Sequence, residues 1–412
     1  MQTQLSPEFL DTPDGTQAEA ILRKCVHCGF CTATCPTYQL LGDELDGPRG
    51  RIYLMKQVLE GGAVTRSPQQ HLDRCLTCRN CESTCPSGVQ YGHLIDIVRP
   101  IVEAKVERPA RERAVRWLLK EGLTSVAFEP AMRLGRLVRP LLPAALAHKI
   151  PLPAPAQAHR WPTREHARKV LMLMGCVQPA MMPNINSATA RVLDAGGIQC
   201  LVAPSAGCCG AIRTHLNDRE GGLADMRRNI DAWWPRVSTG AVEAIVVNAS
   251  GCAVAVKDYG HALARDPRYA EKAARTSALA RDLSELLPDL VPRLQPKMRR
   301  RTVATPLAFH PPCTLQHGQQ LRGGVETHLR ELGFEIQVAA QESHLCCGSA
   351  GTYSVLQPDL AQRLRDRKLG HLALLQAHTI VSANIGCIQH LQTGTATPVR
   401  HWIEVVDDAL AH

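Results

Sequence analysis

"CVHCGFCTATCP" sets Cys25, Cys28, Cys31 and Cys35 ahead of Pro36, and "CLTCRNCESTCP" sets Cys75, Cys78, Cys81 and Cys85 ahead of Pro86. Both read C-x2-C-x2-C-x3-C-P. Three thiolates at steps of three wrap one corner of an iron–sulfide cube, while the fourth is directed away to a neighbouring cube. The expected ligand sets are therefore crossed: Cys25, Cys28 and Cys31 with Cys85, and Cys75, Cys78 and Cys81 with Cys35. Four-cysteine zinc sites are the competing reading, but they draw on two separated cysteine pairs so that four thiolates can form a tetrahedron. Two [4Fe–4S] clusters fit the spacing better. Such a module moves single electrons and makes no bonds, so the chain needs an electron donor and an acceptor. His27 lies between two ligands and is read as packing or tuning, not ligating.

A second cysteine pattern follows. "SAGCCGA" carries Cys208-Cys209-Gly210, and "SHLCCGSAG" carries Cys346-Cys347-Gly348. Each doublet has an outlying cysteine on either side, Cys176 and Cys252 for the first, Cys313 and Cys387 for the second. The gaps are 32 and 43 residues in one set, 33 and 40 in the other. A disulfide between neighbouring cysteines is strained. Four thiolates converging from three loops suit an iron–sulfur or redox centre, with the glycine permitting a tight turn. Two core cysteines that happen to be adjacent would explain one doublet, not two in matched positions. Cys200, in the apolar run "IQCLVAP", is left over and reads as a buried free thiol. His310, His317 and His344 gather around the second doublet, where they are read as structural or as proton relays.

The elements that must hold these cysteines repeat as well. An apolar run ends at the first cysteine of each set, "KVLMLMGC" against "TPLAFHPPC", and another at the last, "AIVVNASGC" against "TIVSANIGC". Helix-like stretches 184–196 and 323–334 intervene. Short Val/Ile-rich strands alternating with helices predict a parallel α/β unit, here duplicated at a spacing of 137 residues. In such sheets loops gather beyond the carboxyl ends of the strands, which would bring each set of four cysteines together. The N-terminal piece reads as helical, with helix patterns over 50–62 and 92–108. The stretch 139–162 carries six prolines and predicts a linker, and 287–306 predicts a second break. The expected fold is thus an α+β multidomain chain: 1–140 helical with a two-cluster ferredoxin module, 141–164 linker, then α/β repeats at 165–287 and 303–412.

Composition narrows the class. The chain has 412 residues, enough for two or three cores, and its seventeen cysteines fall in tight clusters. "MQTQLSPEFLDTPDG" has neither the basic start nor the apolar run of a secretory signal, and no apolar run approaches membrane-spanning length. These features predict a reducing cytoplasm, where clustered cysteines bind metal more often than they pair. A net charge of +9 with only 4% aromatic residues argues against a nucleic-acid reader and for a solvated basic face or docking on an acidic or anionic partner. No G-x-G-x-x-G fingerprint and no Walker loop is present, so a flavin or nicotinamide belongs on another chain.

The matched "C…CCG…GC" repeats resemble the cysteine-rich (CCG) domain of heterodisulfide reductases. The order seen here, together with "DGPRGRIYLMKQVLEGG", "PSGVQYGHLIDIVRPIVE" and "FHPPCTLQHGQQLRG", is similar to the iron–sulfur subunits of glycolate oxidase across nearly the whole chain. The resemblance implies a complex in which FAD-containing subunits oxidise glycolate to glyoxylate. Electrons would then pass singly to this chain and on to a quinone-linked acceptor at the cytoplasmic face of the inner membrane. It implies ligation for the eight N-terminal cysteines, and further cluster ligation for Cys176, Cys208, Cys209 and Cys252 and for Cys313, Cys346, Cys347 and Cys387; no residue is expected to be catalytic. One departure stands out. The resemblance implies a fifth thiolate in a C-x-x-C pair, but Ala255 and His390 occupy those places, which leaves His390 as a candidate ligand. The alternatives are the equivalent subunit of a lactate or glycerol-3-phosphate dehydrogenase complex, a thiol–disulfide catalyst of the heterodisulfide type, and a docking subunit without metal in its repeats.

Overall fold

The computed structural model describes residues 1–125, 127–141, 160–299 and 306–411. Of the Pro-rich linker expected over 141–164, residues 142–159 lie outside the described residues, as do residues 300–305.

The N-terminal unit is helical. Thr12 opens helix Pro13–Lys24 by accepting the Gly15 N–H at 3.0 Å, with Pro13 at the first turn and Arg23 and Lys24 at the last. Helices Pro48–Leu59 and Tyr91–Lys105 each present an apolar stripe, Ile52, Met55, Val58 and Leu59 on one and Leu94, Ile95, Val98 and Val102 on the other. These stripes close on Ile21 and Leu22 to form one core, and Cys25 and Cys81 are part of it. The cysteine loops are thereby anchored to the rigid part of the unit.

Each repeat contains a four-stranded sheet. In the first, β1 (Arg168–Met172), β2 (Ile198–Val202), β3 (Ala244–Val247) and β4 (Ala280–Asp282) take the order β2-β1-β3-β4, and every pairing is parallel. In the second, β5 (Leu307–His310), β6 (Ile336–Val338), β7 (Thr379–Ser382) and β8 (Val399–His401) take the order β6-β5-β7-β8, again all parallel. The two topologies are the same, as a duplication requires. Along β1 and β3 alternate residues face opposite cores: Val170 and Val246 join one apolar cluster, Leu171 and Ile245 another. Burial on both faces is why these strands read as unbroken apolar runs.

The repeats are fused, not beaded. Helix Asn184–Ala195 of the first lies against helix Trp402–Ala409 of the second, and residues of both sheets share one apolar cluster. Arg191 pairs with Asp407 across this contact, and Asn184 donates to Glu404 Oε1 at 2.8 Å. The first part of the break expected over 287–306 is instead occupied by helix Leu287–Leu294, which buries Leu287, Leu290, Val291 and Leu294 in the same cluster. Pro288 sits in the first turn, where its missing N–H has no partner to lose. Proline content there marks a helix start, not a linker.

Candidate metal centres

The two ferredoxin-like loops follow the same path. His27 and Gly29 after Cys25, and Thr77 and Arg79 after Cys75, all have positive φ, between 50° and 85°. These left-handed turns curl the backbone so that short helices Phe30–Ala33 and Asn80–Thr84 begin just after the second cysteine and carry the third. Pro36 then starts helix Pro36–Leu41 directly after Cys35.

Two cavities result. One, open to solvent, is lined by Cys25, Cys28, Cys31 and Cys85, the other, also open, by Cys35, Cys75, Cys78 and Cys81. The fourth cysteine of each motif thus crosses to the other cavity, and Cys81 also lines the first. Burial and the neighbouring Cys25 thiolate push Cys31 up to about 11, and Cys78 and Cys81 are pushed up well beyond the usual thiol range by burial and by neighbouring thiolates, Cys313 beside Cys78 and Cys78 beside Cys81. Thiolates crowded into one cavity call for positive charge among them, which iron supplies. The donor set and its convergence therefore fit an iron–sulfur centre.

The second cavity is the more deeply set and carries its own cation. Arg51 is 1% exposed, with Nε donating to His71 O at 2.7 Å, one terminal nitrogen to Thr37 Oγ1 at 3.1 Å and the other to Asp46 at 3.4 Å. Burial alone would pull its guanidinium down, but the thiolates of Cys75 and Cys35 and the Asp46 carboxylate hold it up. The Thr77 N–H and the Tyr91 hydroxyl both donate to Cys75 Sγ, at 3.4 and 3.6 Å. By contrast Cys28, at the first cavity, is exposed between the exposed Val26 and Phe30.

In the repeats all four cysteines of each set lie beyond the carboxyl ends of the strands. Cys176 and Cys313 follow β1 and β5, the doublets follow β2 and β6, and Cys252 and Cys387 sit in the first turn of helices Ser250–Lys257 and Ile385–Gln392 after β3 and β7. The doublet glycines are held at φ +90° and +91°. A Cβ on Gly210 would lie 2.8 Å from Gly222 O, and one on Gly348 only 2.4 Å from Ala361 O, so both doublets press against the helix that follows. Each glycine N–H donates back to the first sulfur of its doublet, Gly210 to Cys208 at 3.5 Å and Gly348 to Cys346 at 3.4 Å. In both sets the cysteines touch in chain order; Cys313 Sγ lies 3.8 Å from Cys346 Sγ. Hydrogen bonds from Cys176 and Cys209 hold Cys208 far below the usual thiol range, whereas Cys313, Cys346 and Cys347 are all pushed up.

The histidines resolve differently from their sequence grouping. His390 is not at the second set: its Nε2 bonds Ala361 O at 3.1 Å, because residue 390 is already one turn along its helix. His317 bonds His344 O through Nε2 at 2.8 Å, which makes Nε2 the donor and leaves Nδ1 to accept from Ser83 Oγ at 2.9 Å. These two histidines tie the repeat to the ferredoxin-like loop. His310 alone faces the cysteines, with a ring nitrogen and the Cys347 and Cys387 sulfurs all within 4.8 Å of one another. Cys200 stands apart on β2, its thiol raised by burial to about 12.

The sets are neighbours. Leu76, Tyr353, Cys313 and Cys346 form one buried cluster with Cys78 packed on it, and Tyr353 Oη donates to Arg74 O at 3.1 Å. After burial, the Cys313 thiolate is the strongest influence on Cys78. On the far side, Asn384 donates to Cys387 Sγ at 3.6 Å and accepts from the Gly251 N–H, next to Cys252, at 3.3 Å. Arg51 and Lys368, which face Cys75 and Cys35 and Cys347 and Cys346 respectively, carry no signal in the sequence, because each acts on cysteines distant from it along the chain.

Residues 21–89 match the family described as a 4Fe-4S dicluster domain, and residues 170–257 and 307–392 each match the cysteine-rich domain. The chain is 55% identical over 415 residues to the glycolate oxidase iron–sulfur subunit of Escherichia coli (strain K12), covering 100% of this chain and 99% of that one. It is 28% identical to the probable glycolate oxidase iron–sulfur subunit of Bacillus subtilis (strain 168), over 95% of this chain and 92% of that one. Lactate utilization protein A of Geobacillus thermodenitrificans (strain NG80-2) is 25% identical and matches 58% of this chain. With both domain types in place and the likeness running end to end, the chain belongs to the family of glycolate oxidase iron–sulfur subunits.

Proposed function

We propose that this chain is the electron-transfer subunit of a glycolate-oxidising complex, taking electrons from FAD-bearing partner subunits and delivering them toward a quinone-linked acceptor. The observation that carries the reading is the serial arrangement of four thiolate sets, each sharing a wall or a hydrogen-bonded bridge with the next. When bound, a [4Fe–4S] cluster supplies reversible one-electron chemistry. Cys25, Cys28, Cys31 and Cys85 would hold one, and Cys75, Cys78, Cys81 and Cys35 the other. The repeats would hold further centres on Cys176, Cys208, Cys209 and Cys252 and on Cys313, Cys346, Cys347 and Cys387.

The protein's part is to position, neutralise and shield. Arg51 offsets negative charge at the second set, and the N–H donors of Thr77, Gly210 and Gly348 stabilise sulfur charge. Leu76 and Tyr353 exclude water between the second set and the second repeat. Cys28, exposed beside Val26 and Phe30, is where a redox partner can approach from solvent. No helix among the described residues is long and apolar enough to cross a membrane, so a quinone-linked acceptor would be met by peripheral docking. Glycolate is preferred to lactate because the lactate relative matches little more than half of the chain.

The test is reconstitution with the flavin partners under anaerobic conditions, assaying dye reduction with glycolate, D-lactate and glycerol 3-phosphate. Turnover with glycolate is expected; turnover only with another substrate would overturn the assignment. Cys78→Ser should stop reduction of the acceptor while flavin reduction by substrate continues.

A further inference from the structure

His310 ends β5 three residues before Cys313. It is 1% exposed, yet neither ring nitrogen has a hydrogen-bond partner in the structure. Burying a polar group without a partner costs on the order of 1–3 kcal/mol. An imidazole placed in that condition is accounted for by something that takes up its lone pair. The strand fixes where that lone pair can go: β5 is central in its sheet, Ser382 Oγ of neighbouring β7 holds the His310 carbonyl at 2.9 Å, and the ring is set among Cys347 and Cys387.

We propose that His310 is the fifth donor of an iron–sulfur centre in the second repeat, beside Cys313, Cys346, Cys347 and Cys387. The proposal rests on the reading that this repeat holds such a centre. It also makes the two repeats chemically unlike. At the spacing that relates Cys176 to Cys313, His310 corresponds to Leu173, which is 2% exposed and offers no donor. The first repeat therefore has four thiolates only, and the second has four thiolates and an imidazole. His390 does not compete for the position, since its Nε2 is engaged with Ala361 O.

The test uses the full chain purified anaerobically, with iron, zinc and sulfide measured and pulsed electron paramagnetic resonance recorded in its oxidised and reduced states. Supporting results are iron well above about eight per chain, the content of two cubane clusters, and strong nitrogen hyperfine lines. Those lines should move when the wild-type chain is labelled with 15N-histidine. They should be lost in His310→Leu, which copies the first repeat, and retained in His390→Leu. The labelled wild type gives the answer even if His310→Leu fails to fold. Iron above eight without histidine nitrogen lines overturns the role of His310 and leaves a loaded repeat standing. Iron of only about eight, or zinc in place of the additional iron, overturns both.

Discussion

The two repeats share a topology, a doublet and a glycine turn, and differ in what surrounds the sulfurs. Under the first doublet lies Asn229, whose amide accepts the Gly207 N–H at 2.8 Å and donates to Cys208 O at 2.7 Å. Seven residues beyond the helix position that presses on each glycine, Gly222 in one copy and Ala361 in the other, the second repeat carries Lys368 where the first has Asn229. Burial pulls the Lys368 amine down to about 8, against the pull of the Cys347 and Cys346 thiolates, and it donates to Glu342 O. An Asn–Leu pair in one copy thus stands where the other has a Lys–His pair. The lesson is that duplication preserved the backbone cradle while the charge around it diverged. The copy with Lys368 is also the one whose cysteines pack against Cys78 of the ferredoxin-like unit.

The sharpest way to break this contrast is to remove one sulfur from each copy. Cys346→Ser should lower electron transfer from the flavin partners to the acceptor by at least ~100-fold, more than is typical for loss of an outer-shell partner. It should also disturb the paramagnetic signal of the set on Cys35, Cys75, Cys78 and Cys81, because the two share a wall. Cys208→Ser should leave that signal unchanged. Identical spectra for the two variants would dissolve the asymmetry.

Next in size is the glycine turn common to both copies. Gly348→Ala must strain a φ of +91° and drive a methyl to 2.4 Å from a backbone carbonyl, and should destabilise the chain by ~3 kcal/mol in chemical denaturation. Gly210→Ala, strained at nearly the same φ but with its methyl 2.8 Å from the carbonyl, should cost less.

A third contrast concerns the ends of the sheets. Asp282 caps the turn after β4, accepting the Ser284 N–H at 3.0 Å, and His401 caps the helix after β8, accepting the Ile403 N–H at 3.1 Å. Burial lowers His401 from 6.5 to about 3. Below pH 6.5 the unfolded chain binds a proton that the folded chain does not, so stability falls as the pH drops toward that value of about 3. At pH 5 the loss from this residue should be about 2 kcal/mol, and His401→Asn, which keeps the cap, should remove that part of the acid sensitivity in denaturation curves at pH 5 and pH 7. The smallest effect is expected at the bridge between the copies. Asn384→Ala removes one hydrogen bond to each side and should cost ~1 kcal/mol, with a spectral change in the second repeat.

The cysteine sets are legible because their spacing is set by local backbone geometry, which a linear pattern records. The crossed sharing of Cys35 and Cys85 follows from the same logic, and the structure brings each to the other cavity. The parallel α/β repeats are legible because strands buried on both faces leave unbroken apolar runs. What escapes is anything decided across the chain. His390 stands close to Cys387 along the sequence, but helix Ile385–Gln392 turns it toward Ala361. His310 looks like one of three grouped histidines, although the strand separates it from the other two. Its replacement of Leu173 in an aligned copy is the available signal. Pro288 and Pro292 suggest a break and instead belong to a helix whose apolar stripe seals the shared core.

The wall that Cys78, Leu76 and Tyr353 make with Cys313 and Cys346 has a consequence for maturation. Cys313 and Cys346 on one side of it are buried once the two units dock, so a metal held there would have to be in place before the seam closes. Because metal held by thiolates is itself folding free energy, cofactor delivery to such a set would belong to the order of folding.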